Sequence, residues 1–260
     1  MSSNEFLKNL NIESVFNAEN TVDEAYLVND KLTQVDPFKP DLSELKSLHN
    51  LVTLTNRTTI LEFGCGWSSL VFAASLAKQE LMHGTLDSYR RNNPFHCFTV
   101  DNNKGYLDIS AERIPAAMKK YISFNFSEVE MESWDGRYAH AYLSIPLMNP
   151  DLIYIDAPGQ HDVKGSINGF NISHNDLMPM SCDILKLEHF LTPLTIVVID
   201  GRAANARFIK SNLQRSWDYR YCKDRDQHFF LLNEDSLGKY QDELIKNHYY
   251  KDSSWTIEDF

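Results

Sequence analysis

Four short apolar runs punctuate the middle of the chain, TTILEFG (58–64), HCFTVD (96–101), DLIYIDA (151–157) and LTIVVIDG (194–201), each closing on small or acidic residues. Helix-compatible stretches separate them, and nearly continuous hydrophobic strands alternating with helices predict a mostly parallel, doubly wound α/β sheet covered on both faces. Ahead of the first run, Asp41 or Ser43 can cap a helix whose apolar positions Leu45, Leu48, Leu51, Val52 and Leu54 recur at helical spacing. Between the second and third runs the pattern predicts a helix over 106–121. A strand from about Ser127 to Ser133 then turns at Asp135-Gly136 and returns through RYAHAYL as a small antiparallel insertion. A polar, glycine-containing stretch, 157–176, follows the third run and is read as a pocket wall, since long loops in compact domains are usually functional or disordered. Near the end, WDYRYC and QHFFLLN flank KDRD as a terminal hairpin would, and a helical tail begins at Leu237 without legible chemistry.

The segment DPFKP (36–40) divides an N-terminal helical extension or lid, 1–40, from a core, 41–236, with the tail at 237–260. The 260 residues, 43% of them hydrophobic, suffice for one such core and one active site. The net charge of -11 speaks against a protein that grips a phosphate backbone, so no nucleic-acid partner is expected. The pairs Lys119-Lys120 and Arg90-Arg91 read as solvated helix faces. The polar opening MSSNEFLKNLNIES is unlike a secretory signal, and no apolar run approaches the ~20 residues that span a bilayer, so a cytoplasmic protein with no membrane partner is expected. Cys65, Cys97, Cys182 and Cys222 occur singly, which predicts reduced, mostly buried thiols rather than disulfides or a zinc site.

In open α/β sheets the ligand lies beyond the carboxyl ends of the strands, so the residues closing the apolar runs carry the candidate chemistry. The first is Glu62-Phe63-Gly64-Cys65-Gly66-Trp67-Ser68-Ser69, where Gly64 and Gly66 allow a tight turn and let a ligand lie against bare backbone. A dinucleotide fingerprint would need a third glycine where Ser69 stands, and no Walker-type phosphate loop occurs.

An acidic residue two places before a G-x-G turn resembles the first motif of class I S-adenosylmethionine-dependent methyltransferases. The resemblance implies a Rossmann-like sheet of seven strands and cofactor contacts from Glu62, Gly64, Cys65, Gly66, Trp67 and Ser68. HCFTVD resembles the second motif: the two carboxylate oxygens of Asp101 suit the vicinal ribose hydroxyls, and Asn102 would sit beside the adenosine. Ser133 and Trp134 fall where that family places adenine contacts. DLIYIDAPG resembles the fourth motif, whose Asp156 faces the reactive end of the cofactor. The likeness spans roughly Ile60 to Gly201, and the terminal hairpin fits the family's last two strands. Blander roles stand beside these, with Glu62 and Asp101 as helix-capping carboxylates and Trp67 as a core or lid aromatic.

Asp156, His161 and Asp200 are the candidate catalytic residues. Asp156 and Asp200 resemble the acids that hold Mg2+ in metal-dependent O-methyltransferases. Gly201 replaces the Asn common there, however, and two carboxylates make a thin octahedral site, so Mg2+ is disfavoured. The segment Asp156-Ala157-Pro158-Gly159 lacks the asparagine-proline-proline-aromatic signature of amino methylation, which tilts the expectation to O-methylation of a small molecule or sugar. A homodimer is left open. The competing readings are an aminopropyltransferase, a nicotinamide-binding enzyme and a non-catalytic cofactor-binding module.

Overall fold

The computed structural model describes residues 3–17, 38–84, 91–251 and 254–260. Of the sequence expectations, Arg90, Pro37 and residues 18–36 of the N-terminal extension lie outside them. The chain opens with α1 (Ser3–Asn9) and α2 (Glu13–Phe16), and α3 (Leu42–Leu54) begins where Asp41 caps it, accepting from the Ser43 amide at 2.7 Å and the Glu44 amide at 3.2 Å. Leu45, Leu48, Leu51 and Val52 point inward as their spacing predicts, whereas Leu54, at the last turn, is exposed. Then come β1 (Thr59–Phe63), α4 (Trp67–His83), β2 (His96–Asp101), α5 (Lys104–Arg113), β3 (Ile122–Phe126), β4 (Val129–Trp134) and β5 (Arg137–Tyr142). The remainder is β6 (Leu152–Ile155), α6 (Asp183–Leu187), β7 (Ile196–Asp200), α7 (Ala203–Asn212), β8 (Trp217–Cys222), β9 (Gln227–Leu232) and α8 (Lys239–Leu244).

Seven strands form one sheet in the order β3-β2-β1-β6-β7-β9-β8, with β1, β2, β3, β6 and β7 parallel and β9 antiparallel to both β7 and β8. This is the doubly wound α/β class expected, with the hairpin at the sheet edge. Alternate residues feed two cores. Ile60, Cys97, Tyr154 and Val198 pack with α3 and α4 on one face, and Leu61, Val100, Ile155 and Ile199 pack with β5, α6 and α7 on the other. Complete burial of such side chains contributes about 1.5–3 kcal/mol each, which is why both faces read as apolar in sequence.

Three details depart from the expected pattern. The helix predicted over 106–121 stops at Arg113, because Pro115 lacks an amide hydrogen and disfavours helix in the residue before it; a 3-10 turn, Ala116–Tyr121, takes over. The strand that follows, β3, is a separate edge strand of the sheet, and only β4 and β5 form the hairpin insertion. The C-terminal tail, expected only as a helical tail without legible chemistry, packs into the core. Tyr249, Trp255 and Phe260 belong to the first core, and the fully buried Arg57 stacks over Tyr249 and Trp255 at 4.3 and 4.9 Å. Beside it, Asp151 accepts from the Thr58 and Thr59 amides and from the Tyr249 hydroxyl. Burial alone would push its carboxyl up, but Arg91 and Arg57 outweigh that and hold it below the usual range. This network ties the amino ends of β1 and β6 to the tail. No helix among the described residues is long and apolar enough to cross a membrane.

Candidate active site

From β1 the chain crosses to β2 on one side, and its later course continues at β6 on the other, so the order reverses between β1 and β6. A crevice is expected beyond the carboxyl ends of these two strands. The turn after β1 supplies it. Gly64 has a φ of +99°, its amide donates to the Val100 carbonyl at 2.8 Å, and a Cβ there would lie 2.9 Å from the Ala157 Cβ. Its bareness therefore serves close packing of the β1 turn on the β6 turn, while its backbone still borders the cavity. Gly66 is different: its backbone is extended, and a Cβ built on it meets no atom within 4 Å.

A cavity of about 450 Å3 opens against Gly66. Its walls are residues 64–68 after β1, Asp101, Asn102 and Tyr106 after β2, Asp156, Gly159 and Asp162 after β6, and Asp200 and Arg202 after β7. Residues 38–41 and Glu44 close it from the N-terminal side. Among the sequence candidates, Gly64, Cys65, Gly66, Trp67, Ser68, Asp101, Asn102, Asp156 and Asp200 are thus brought together.

Four candidates are not on the cavity wall. Glu62 is fully buried behind the turn, where Oε1 accepts from the Ser68 hydroxyl and Oε2 from Ser69 and Thr99, each at 2.6 Å. Burial pushes its carboxyl up to about 7 despite those three bonds, so Glu62 buttresses the turn instead of facing a ligand. Ser133 and Trp134 end β4 beside the Asp135-Gly136 turn, in the hairpin insertion, and Trp134 packs on the second core. His161 sits in an exposed 3-10 turn, Gln160–Asp162, with Nδ1 3.3 Å from the Ser173 hydroxyl.

The electrostatics divide the cavity. At the β2 end, burial raises the Asp101 carboxyl, while the Asn103 amide, donating at 2.6 Å, and Cys65 oppose the rise. At the β7 end, Asp200 is pushed up to about 8 by burial, then by the negative charges of Glu44 and Asp156. Glu44 is held by the Tyr154 hydroxyl, which donates to Oε1 at 2.7 Å. Arg202 donates to the Asp156 carbonyl at 2.7 Å and the Pro158 carbonyl at 2.9 Å and lies 3.8 Å from the Asp156 carboxylate, so it braces the β6 turn. The residues sequence reasoning missed are Glu44, Tyr106 and Tyr154, whereas Asp162 falls in the stretch expected as a pocket wall and residues 38–40 in the extension expected as a lid. Nothing in the local pattern of the missed residues sets them apart, since Glu44 reads as an ordinary first-turn acid. Among the described residues no group of three or more His, Cys, Asp or Glu is placed to hold a metal ion.

No family model matches the chain, and no curated protein matches it. Among solved structures it is similar to the O-methyltransferase TomG from Streptomyces achromogenes, involved in tomaymycin synthesis and in complex with S-adenosylmethionine. That likeness has 16% identity and a TM-score of 0.43 and covers 90% of this chain and 100% of that one. An O-methyltransferase from Bacillus cereus in complex with S-adenosylhomocysteine shows 14% identity and a TM-score of 0.43 over 88% and 96% of the two chains. An RNA methyltransferase from Salinibacter ruber, also with S-adenosylhomocysteine, shows 10% and 0.40 over 78% and 98%. At these identities and TM-scores the likeness bears on neither reaction nor acceptor. The strand order, the one reversed strand between β7 and β8, and the glycine turn at the switch point establish the fold on their own: a Rossmann-like α/β sheet.

Proposed function

We propose that the protein transfers a methyl group from S-adenosylmethionine to a hydroxyl of a small molecule or sugar. The observation that carries this is the juxtaposition of a bare, cavity-facing Gly66 with the Asp101 carboxylate on one wall, at the switch point of the sheet. The cavity is also of the size that small-molecule sites have, roughly 300–1,000 Å3. On this reading the 64–68 turn holds the methionine part of the cofactor, Asp101 accepts from its ribose hydroxyls, and Asn102 and Tyr106 flank the adenosine.

The cofactor, when bound, supplies an electrophilic methyl on a sulfonium. Everything else falls to this chain. Alignment of the acceptor in a water-poor pocket is the larger part of such catalysis, and the 38–41 segment and Glu44 provide the outer wall. Removing the acceptor proton requires a base whose pKa lies near the working pH. Asp200, raised to about 8 beside Asp156, meets that requirement and lies on the cavity wall, whereas His161 does not reach it. Incubation with methyl-labelled cofactor and a panel of sugars and phenols tests the reading directly. Label transfer with stoichiometric S-adenosylhomocysteine is expected; cofactor binding without transfer to any member would favour a binding module.

A further inference from the structure

Trp67 directly follows the cavity-facing glycine, and its side chain leads away to the N-terminal region. The indole Nε1 donates to the Phe38 carbonyl at 2.8 Å, the ring lies 4.3 Å from the ring of Phe16, and the Arg113 guanidinium sits 3.9 Å over it. Phe16 and Phe38 stand on opposite sides of residues 18–37 in the chain, so two separate pieces of the N-terminal region converge on one side chain of the cofactor turn. Residues 38–41 and Glu44, just beyond the Phe38 contact, face residues 64–68 across the cavity. A ring that is 7% exposed and borders that cavity is held by packing, and its single polar atom is spent on backbone of the opposite wall.

We propose that Trp67 is a positioning residue that clasps the wall formed by residues 38–45 onto the glycine turn, so that a ligand lying against Gly66 leaves only when the Trp67–Phe38 bond opens. The ligand's identity rests on the S-adenosylmethionine reading above; the clasp does not. Occupancy of the turn and closure of the wall then become one event, because both elements meet in the same indole. Such coupling places the acceptor side of the pocket, including Glu44, under the control of the cofactor side. A merely structural Trp67 would stabilise the fold through ring contacts and leave ligand exchange untouched.

The variant W67F separates these roles, because it keeps an aromatic ring for Phe16 and Arg113 and deletes the N–H donated to Phe38. Two readouts are taken on the full-length protein. In the ligand-free protein, amide hydrogen exchange followed by mass spectrometry is expected to accelerate roughly fivefold or more in peptides covering 38–45, the scale of one lost hydrogen bond. Peptides from β6 and β7 should be unchanged. With tritiated S-adenosylhomocysteine as probe, the dissociation rate is expected to rise by a similar factor, while Tyr221→Phe, which loses an exposed hydroxyl bond to Asp226, leaves it at the wild-type value. Unaltered exchange at 38–45 in W67F overturns the clasp whether or not the probe binds. Accelerated exchange with an unaltered dissociation rate overturns the control of ligand release. A wild-type protein that does not bind the probe sinks the cofactor assignment, and the exchange arm still decides the clasp.

Discussion

Alanine in place of Gly64 and in place of Gly66 should give opposite phenotypes, although the two residues are neighbours in one turn. At Gly64 the φ of +99° costs an L-residue on the order of 1–3 kcal/mol. The new Cβ would sit 2.9 Å from the Ala157 Cβ and 3.2 Å from the Asp156 carbonyl carbon, neither of which can rotate away. Overpacking of that kind adds about 1–3 kcal/mol, so G64A should lose roughly 2–6 kcal/mol of a typical total of about 5–15. At Gly66 the backbone is extended and the methyl meets no atom within 4 Å, which predicts a stability change within about 0.5 kcal/mol. Gly66 lines the cavity assigned to the cofactor and a methyl there meets no protein atom, so G66A should bind S-adenosylhomocysteine at least ~10-fold more weakly, about 1.4 kcal/mol. Urea unfolding and titration calorimetry on both variants separate the effects. G66A with wild-type affinity, or G64A with wild-type stability, refutes the reasoning.

Two further outcomes follow from the buried acids. Glu62 has a folded-state pKa of about 7 against an ordinary 4.5, so its contribution is complete below pH 4.5 and is lost as pH rises through 7, by about 3 kcal/mol if the full shift is realised. Wild type should lose ground to Glu62→Gln over that window in urea unfolding, and parallel stability profiles would show that Glu62 is not held protonated. Asp200, raised to about 8, should impose a rise in turnover through pH 8 as the base ionises. Asp200→Asn should lower kcat, abolish that rise and leave cofactor affinity near wild type; an unchanged pH profile would remove Asp200 as the base.

The legible part of the fold lies where burial forces a pattern. β1, β2, β6 and β7 are covered on both faces, and α3 carries Asp41 at its start and leucines at helical spacing; each shows in the sequence because the physics is local. β3 escaped because ISFNF mixes polar and apolar residues at an edge of the sheet, and the tail escaped because Trp255 packs under Arg57, some 200 residues earlier, and Phe260 against Phe229 and Trp255. For the site, strand-end residues such as Asp101, Asp156 and Asp200 were placed by topology. Glu62 shows the limit of that reasoning: the same motif position can face a ligand or accept three hydroxyls behind the turn, and only the partners at 2.6 Å decide. Glu44 belongs to the cavity through its bond to Tyr154, 110 residues away, a relation no local pattern encodes.

Calorimetric titration of S-adenosylhomocysteine into wild-type protein and Asp101→Ala tests the assignment of the cavity most directly. Saturable 1:1 binding to wild type is expected, weakened in the variant by about 1.5–3 kcal/mol, the worth of a hydrogen bond to a charged group. Absence of binding to wild type, or equal affinity in the two proteins, would contradict the placement of the cofactor between Gly66 and Asp101.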